Sequence, residues 1–112
     1  MTHLPAPGEP NWSGLRVVVA GIGIAGFACA DALLERGAQV TVVDDNDGAE
    51  QRNRAQVLEV LGATVRLGDG RTLPDADLLV VSPGLPPSAA IIRAAEQQAM
   101  PIWGELEVAW RV

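Results

Sequence analysis

Apolar positions along the chain fall into two kinds of run that alternate. RVVVAG (16–21), a continuous β-branched run, has the composition of a strand buried on both faces; AQVTVVDD (38–45) and the short ATVRLG (63–68) read as strands, DLLVVSPG (77–84) is another apolar strand, and MPIWG (100–104) is a shorter fifth. Between them, AGFACADALLERG (25–37), AEQRNRAQVLEVLG (49–62), SAAIIRAAEQQA (88–99) and ELEVAWRV (105–112) read as helices. In the first helix, Ala28, Ala30, Leu33 and Leu34 can face a sheet. Gly37 and Gly62 act as stops, and Asp47 and Ser88 are candidate N-caps. DGRTLPDA (69–76) has the composition of a loop. The alternation predicts an α/β fold: a Rossmann-like, parallel, five-stranded sheet of order 3-2-1-4-5 with right-handed crossovers and helices on both faces. Residues 1–11 carry three of the eight prolines and read as a flexible lead-in, with His3 a solvated tail residue; 12–112 form one domain. The last helix reaches Val112 without a stop signal, the pattern expected of a piece of a longer protein.

In a sheet of that order the chain reverses direction between strands 1 and 4, and ligands bind there, beyond the carboxyl ends of the strands. Three chemical features converge on that edge. The first is G-x-G-x-x-G, with Gly21 for the tight turn, Gly23 for close approach of a phosphate and Gly26 for packing of helix on strand. The N–H groups near Ile24 and Ala25 would face an anion, aided by the helix dipole. The plainer reading is a glycine-rich turn needed only for packing. The second is Asp44-Asp45-Asn46. Asp44 lies 18 residues past Gly26, where an acid bonds a ribose hydroxyl or, equally, a uridine. Asp45 and Asp47 add charge that disfavours a 2′-phosphate, and the alternative is a solvated acidic loop. The third is Ser82-Pro83-Gly84. Proline ends the ladder, and Gly84 permits either a close approach to a ligand or a positive φ; otherwise this is a stiff strand-to-helix turn.

Composition narrows the choice of ligand. The formal net charge of −6 argues against nucleic acid, which requires clustered Lys and Arg. All eight basic residues are arginine, so G-x-x-x-x-G-K-[ST] and lysine Schiff-base chemistry are absent from these 112 residues. The longest apolar run, Val17 to Ala30, is broken by three glycines, and the start has no basic, then apolar, signal pattern. A cytoplasmic protein with no membrane partner is expected. Cys29, the only cysteine, reads as a buried inert thiol. Trp103 and Trp110 read as packing residues, Trp110 at an interface with a missing part. Glu105 and Glu107 read as a solvated helix start. There is no metal-ligand cluster, no Ser–His–Asp set and no paired carboxylates in a pocket. The segment reads as a binding module with no catalytic residue of its own. One such module is an NAD-binding Rossmann domain of an oxidoreductase or redox sensor.

The motifs taken together resemble a family. WSGLRVVVAGIGIAG, VTVVDDN, LLVVSPGLPP and MPIWGELEVA, in this order and spacing from Trp12 to Arg111, are similar to the N-terminal domain of the Mur ligases of peptidoglycan synthesis. The similarity is to the branch that adds D-glutamate to UDP-N-acetylmuramoyl-L-alanine. The S-P-G turn and the I-x-G-E-[LIV]-E ending are its most specific parts. The resemblance implies a first domain that binds the UDP-sugar, a central ATPase domain with a P-loop, and a C-terminal domain. It also implies ATP and Mg²⁺ in those other domains, with no cofactor in this segment. By position it assigns Gly23, Ile24, Ala25 and Gly26 to the diphosphate, and Asp44, Asp45 and Asn46 to the border of the uracil. Ser82, Pro83 and Gly84 fall along the path of the nucleotide. Two positions depart from the family pattern. Ala25 stands where a Thr or Ser hydroxyl is frequent, and Asn46 where an Arg or Lys is frequent.

Overall fold

The computed structural model describes residues 4–112, so His3 lies outside the described residues. The elements run β1 (Arg16–Ala20), α1 (Ile24–Glu35), β2 (Gln39–Asp44), α2 (Ala49–Val60), β3 (Thr64–Leu67), β4 (Leu78–Val81), α3 (Ala90–Gln97), β5 (Ile102–Gly104) and α4 (Glu105–Arg111). All four strand pairings are parallel, and the order is β3-β2-β1-β4-β5, as the strand–helix alternation predicts.

Side-chain alternation divides the core between the two faces of the sheet. Val17 and Val19 of β1, Val40 and Val42 of β2, and Leu78 and Val80 of β4 join one cluster with residues of α1, α2 and α4. Val18 and Ala20, Val43 and Leu79 point the other way, into a cluster with Ile91, Ile92 and Ala95 of α3. Leu73 and Ala76, from the loop between β3 and β4, help to cover that second face. Both faces of β1 are therefore buried, which is why its sequence reads as an uninterrupted apolar run.

Three helices end in the same way. Ala38 N–H donates to Leu33 O and Gly37 N–H to Leu34 O after α1. Ala63 and Gly62 repeat the pair after α2, and Met100 and Ala99 repeat it after α3. These are Schellman ends, whose C′ residue adopts a left-handed conformation. Gly37 (φ 89°) and Gly62 (φ 110°) do so freely, while Ala99 does so at φ 54° with a Cβ. The helix starts differ from expectation. Asp47 and Ser88 are not caps: the N-cap positions of α2 and α3 are Gly48 and Ala89, with no side-chain hydrogen bond at either. Asp47 instead pairs with Arg52 at 2.9 Å. Ala28 is exposed rather than packed on the sheet, where Cys29 takes the inward position.

Residues 4–11 form neither helix nor strand and run against α4. Arg111 Nη1 donates to Pro5 O at 2.8 Å, and Gly8 N–H donates to Arg111 O at 2.9 Å. The Arg111 guanidinium lies 4.2 Å from the ring centre of Trp103, which in turn meets buried Trp12 edge-on. Trp103 is thus a packing residue, as read. Trp110 is 66% exposed and packs little within this domain. Glu105 and Glu107 are half-buried rather than freely solvated; Glu107 pairs with Arg111 at 3.5 Å.

Candidate functional site

The expected residues meet at the carboxyl ends of β1, β2 and β4. The three glycines of the first turn do different work. Gly21 has φ 112°, a conformation other residues rarely adopt, and its N–H donates to Val43 O at 2.8 Å. A Cβ on Gly26 would lie 2.1 Å from Gly21 O, so glycine there lets α1 sit down on the turn. Gly23 has neither need. Its angles (φ −66°, ψ −174°) suit any residue, and a Cβ on it would meet nothing within 4 Å. The fold itself does not demand a glycine at position 23.

Gly23 is also the N-cap of α1. Its carbonyl accepts from Phe27 N–H at 2.8 Å, and the N–H groups of Gly23, Ile24 and Ala25 have no acceptor among the described residues. No acidic side chain occupies the first turn of the helix. Unpaired donors and the positive end of the helix dipole therefore coincide there, a combination that suits an anion. Ile24 stands 80% exposed beside them, forming an apolar shelf with Phe27 and Val57.

Asp44 is half-buried and engaged within the protein. Its Oδ2 accepts from Ile22 N–H at 2.9 Å, and its Oδ1 accepts from Asn46 N–H at 2.8 Å. The acid thus ties the glycine turn to the end of β2. Each carboxylate oxygen keeps a second lone pair for a further donor. Asp45 turns to the loop after β3. Its Oδ1 accepts from Gly70 N–H at 2.8 Å, and Arg71 Nε approaches its Oδ2 at 3.9 Å. A Cβ on Gly70 would lie 2.7 Å from Asp45 N, so this loop rests directly on the β2 end. The Asn46 side chain is exposed.

On the other side of the switch point, Leu85 N–H donates to Ser82 O at 3.1 Å, closing a turn over Pro83 and Gly84. Gly84 does not adopt a positive φ, and a Cβ on it would meet nothing within 4 Å. Of the two reasons offered for this glycine, the conformational one is thereby removed.

Two neighbours of the turn were not among the expected site residues: Arg54, outside any motif, and Glu105, in the G-E-L-E ending but read only as a solvated helix start. Arg54 projects from α2, with Nη1 3.4 Å from Ile22 O and Nη2 3.8 Å from Glu50. It brings a guanidinium to the glycine turn, and only the contact of α2 with α1 places it there. Glu105, the first residue of α4, comes within 3.7 Å of the Cβ position at Gly26. Desolvation raises its carboxyl above the ordinary glutamate value. Cys29, one helical turn further along α1, is buried. Loss of solvent, reinforced by the charge of Glu105, pushes its thiol up to about 12 and holds it protonated and inert, as read. A separate depression of about 340 Å³, lined by Arg16, Gln39 and Thr64, lies at the amino ends of the strands and shares no residue with the turn.

Comparison with known proteins identifies the family. The family model described as "Mur ligase MurD-like, N-terminal domain" matches residues 15–104. Relatives named UDP-N-acetylmuramoylalanine–D-glutamate ligase include those of Streptomyces avermitilis, 48% identical over 103 residues, and Streptomyces coelicolor, 49% identical over 103. In both cases 91% of this chain and 22% of the relative are covered. The chain therefore spans about a fifth of the length of these relatives. Among solved structures, UDP-N-acetylmuramate-alanine ligase MurC of Thermotoga maritima superposes with a TM-score of 0.68 at 22% identity, covering 83% of this chain and 21% of that one. Histamine dehydrogenase of a Rhizobium species gives 0.53 at 19% identity, covering 91% and 22%. Both likenesses concern the fold alone, and they show that it serves ligases and oxidoreductases alike. The match across residues 15–104 decides between these families: this chain belongs to the MurD-like Mur ligases, as their N-terminal domain.

Proposed function

We propose that this domain holds the nucleotide end of UDP-N-acetylmuramoyl-L-alanine within a cytoplasmic, ATP-dependent ligase that adds D-glutamate to it during peptidoglycan synthesis. The diphosphate rests on the N–H groups of Gly23, Ile24 and Ala25. The uracil lies toward Asp44, Asp45 and Asn46, against the exposed Ile24 side chain. Ser82, Pro83 and Gly84 border the path of the nucleotide toward the sugar. Acyl-phosphate chemistry, ATP and Mg²⁺ belong to the central and C-terminal domains of the intact chain. This domain supplies position: it fixes the substrate so that its carboxylate meets the reacting groups of the other domains.

Gly23 carries the reading. It is a glycine that neither backbone conformation nor packing requires, set beside three unpaired donors at a helix N-terminus. The absence of a hydroxyl at Ala25 leaves backbone contacts as the main hold on the diphosphate. The test is Gly23→Val. The substituted chain stays folded and loses UDP binding measured by intrinsic tryptophan fluorescence. Unchanged UDP binding, or micromolar NADH binding by the unsubstituted chain, overturns the proposal; the second result favours an NAD-binding domain.

A further inference from the structure

Away from the strand ends, α1 and α4 leave an apolar groove of about 520 Å³ between them. Ala25, Ala28 and Ala32 of α1 line one wall, and Leu106, Ala109 and Val112 line the other. Pro83 borders the end next to the glycine turn. The small side chains on α1 leave room for a third element to approach closely. On α4, Leu106 is 80% exposed and Trp110, one turn on, is 66% exposed. They form an apolar ridge beside the groove. Only Val108 of the seven α4 residues is fully buried. A seven-residue helix gains little from its own hydrogen bonds, so a helix with this pattern is held by packing on both sides. Apolar grooves flanked by exposed large side chains mark interfaces.

The family identifies the occupant. Members carry about four-fifths of their length outside the matched segment, and the segment is their N-terminal domain, so their remaining domains follow α4 in the chain. Val112 itself lies on the groove wall, with its carbonyl accepting from Arg36 Nη2 at 2.9 Å. A domain continuing from that point is tethered at the groove and sees it at high effective concentration. A second copy of this domain has no such tether.

We propose that the α1–α4 groove is the seat of the domain that follows in the intact ligase chain. Ala25 of the anion-facing turn and Pro83 of the neighbouring S-P-G turn both line the groove. A domain seated there therefore walls in the diphosphate end of the site and couples substrate position to the rest of the enzyme. The proposal rests on the reading of an intact, multidomain ligase but not on the nucleotide.

The test uses Leu106→Cys, at an exposed position where the fold tolerates change, in the 112-residue chain and in the intact ligase chain. A maleimide reports the rate of modification, and the unsubstituted proteins supply the background from buried Cys29. In the short chain the introduced thiol reacts at the rate of a solvated cysteine. In the intact chain it reacts more slowly, by on the order of tenfold or more. Hydrogen exchange across residues 105–112 of the unsubstituted proteins follows the same order. Equal rates in the two chains overturn the proposal. So does a short chain that sediments as a dimer with its introduced thiol already protected, which assigns the groove to a second copy. No nucleotide enters the assay, so failure here leaves the UDP reading standing, and failure of UDP binding leaves this one standing.

Discussion

At the scale of single residues, the G-x-G-x-x-G turn separates into parts that respond to different measurements. Gly26→Ala forces a Cβ onto Gly21 O and costs about 1–3 kcal/mol in denaturant unfolding. The Cβ of Gly23→Val meets no protein atom within 4 Å, and the substitution costs about 1 kcal/mol, the value of a poorer N-cap. The two substitutions therefore divide stability from binding. Cys29 offers a second test at this scale. Its thiol, pushed up to about 12, keeps its proton in the folded chain, while the unfolded thiol releases it near ~8.5. The folded state binds the extra proton, so stability is full below the unfolded value and falls as pH rises toward 12. The chain has no lysine and no tyrosine, so Cys29 is the main side chain titrating in that window. The unfolding free energy from denaturant titration falls between pH 9 and pH 11 by up to ~1.4 kcal/mol per pH unit, and Cys29→Ala flattens the slope. A flat profile in the unsubstituted chain contradicts this assignment.

At the scale of elements, the strands were the most legible part of the sequence, because β1 after Arg16 and β4 are apolar and buried on both faces, and β2 keeps Val40, Val42 and Val43 buried around Thr41. Helix ends were legible where glycine marks them, at Gly37 and Gly62, and obscure where Ala99 takes the same left-handed position. Helix starts were misread for a related reason. Asp47 and Ser88 are good capping residues by type, but α2 begins after Gly48 and α3 after Ala89, each with backbone donors left open. Ala99→Gly relieves the left-handed strain at some cost in unfolded-chain entropy, and it raises stability by about 0.5–1 kcal/mol in thermal or denaturant unfolding. No gain at this position would mean that the α3 end is held by its Met100 contact alone. Of the candidate site, the turn and Asp44 were readable from motif and spacing. That Asp44 spends a bond on Ile22 N–H was not, because it depends on how β2 sits beside β1. Arg54 was unreadable for the same reason, and Glu105, although part of the G-E-L-E ending, gave no sign that packing brings it to the turn.

At the scale of the whole molecule, a net charge of −6 means that the proposed diphosphate site has to rely on geometry rather than on a basic surface. The donors are backbone groups at one helix N-terminus, Arg54 is the nearby cation, and the acids next to the turn are engaged with backbone N–H groups or partly buried. The glycine turn and the S-P-G turn both border the apolar groove, at Ala25 and Pro83, so the two proposed sites adjoin there. The proposed division of labour fits this layout: this domain would grip the nucleotide, with the chemistry left to the rest of the ligase chain. The most direct measurement is a titration of the isotope-labelled chain with UDP-N-acetylmuramoyl-L-alanine, followed by amide NMR. The account predicts that at millimolar ligand the amides of Gly23 to Gly26 and Asp44 to Asn46 shift, while those around Arg16, Gln39 and Thr64 at the opposite edge stay in place. No shift at the glycine turn, or shifts confined to that opposite edge, would contradict it.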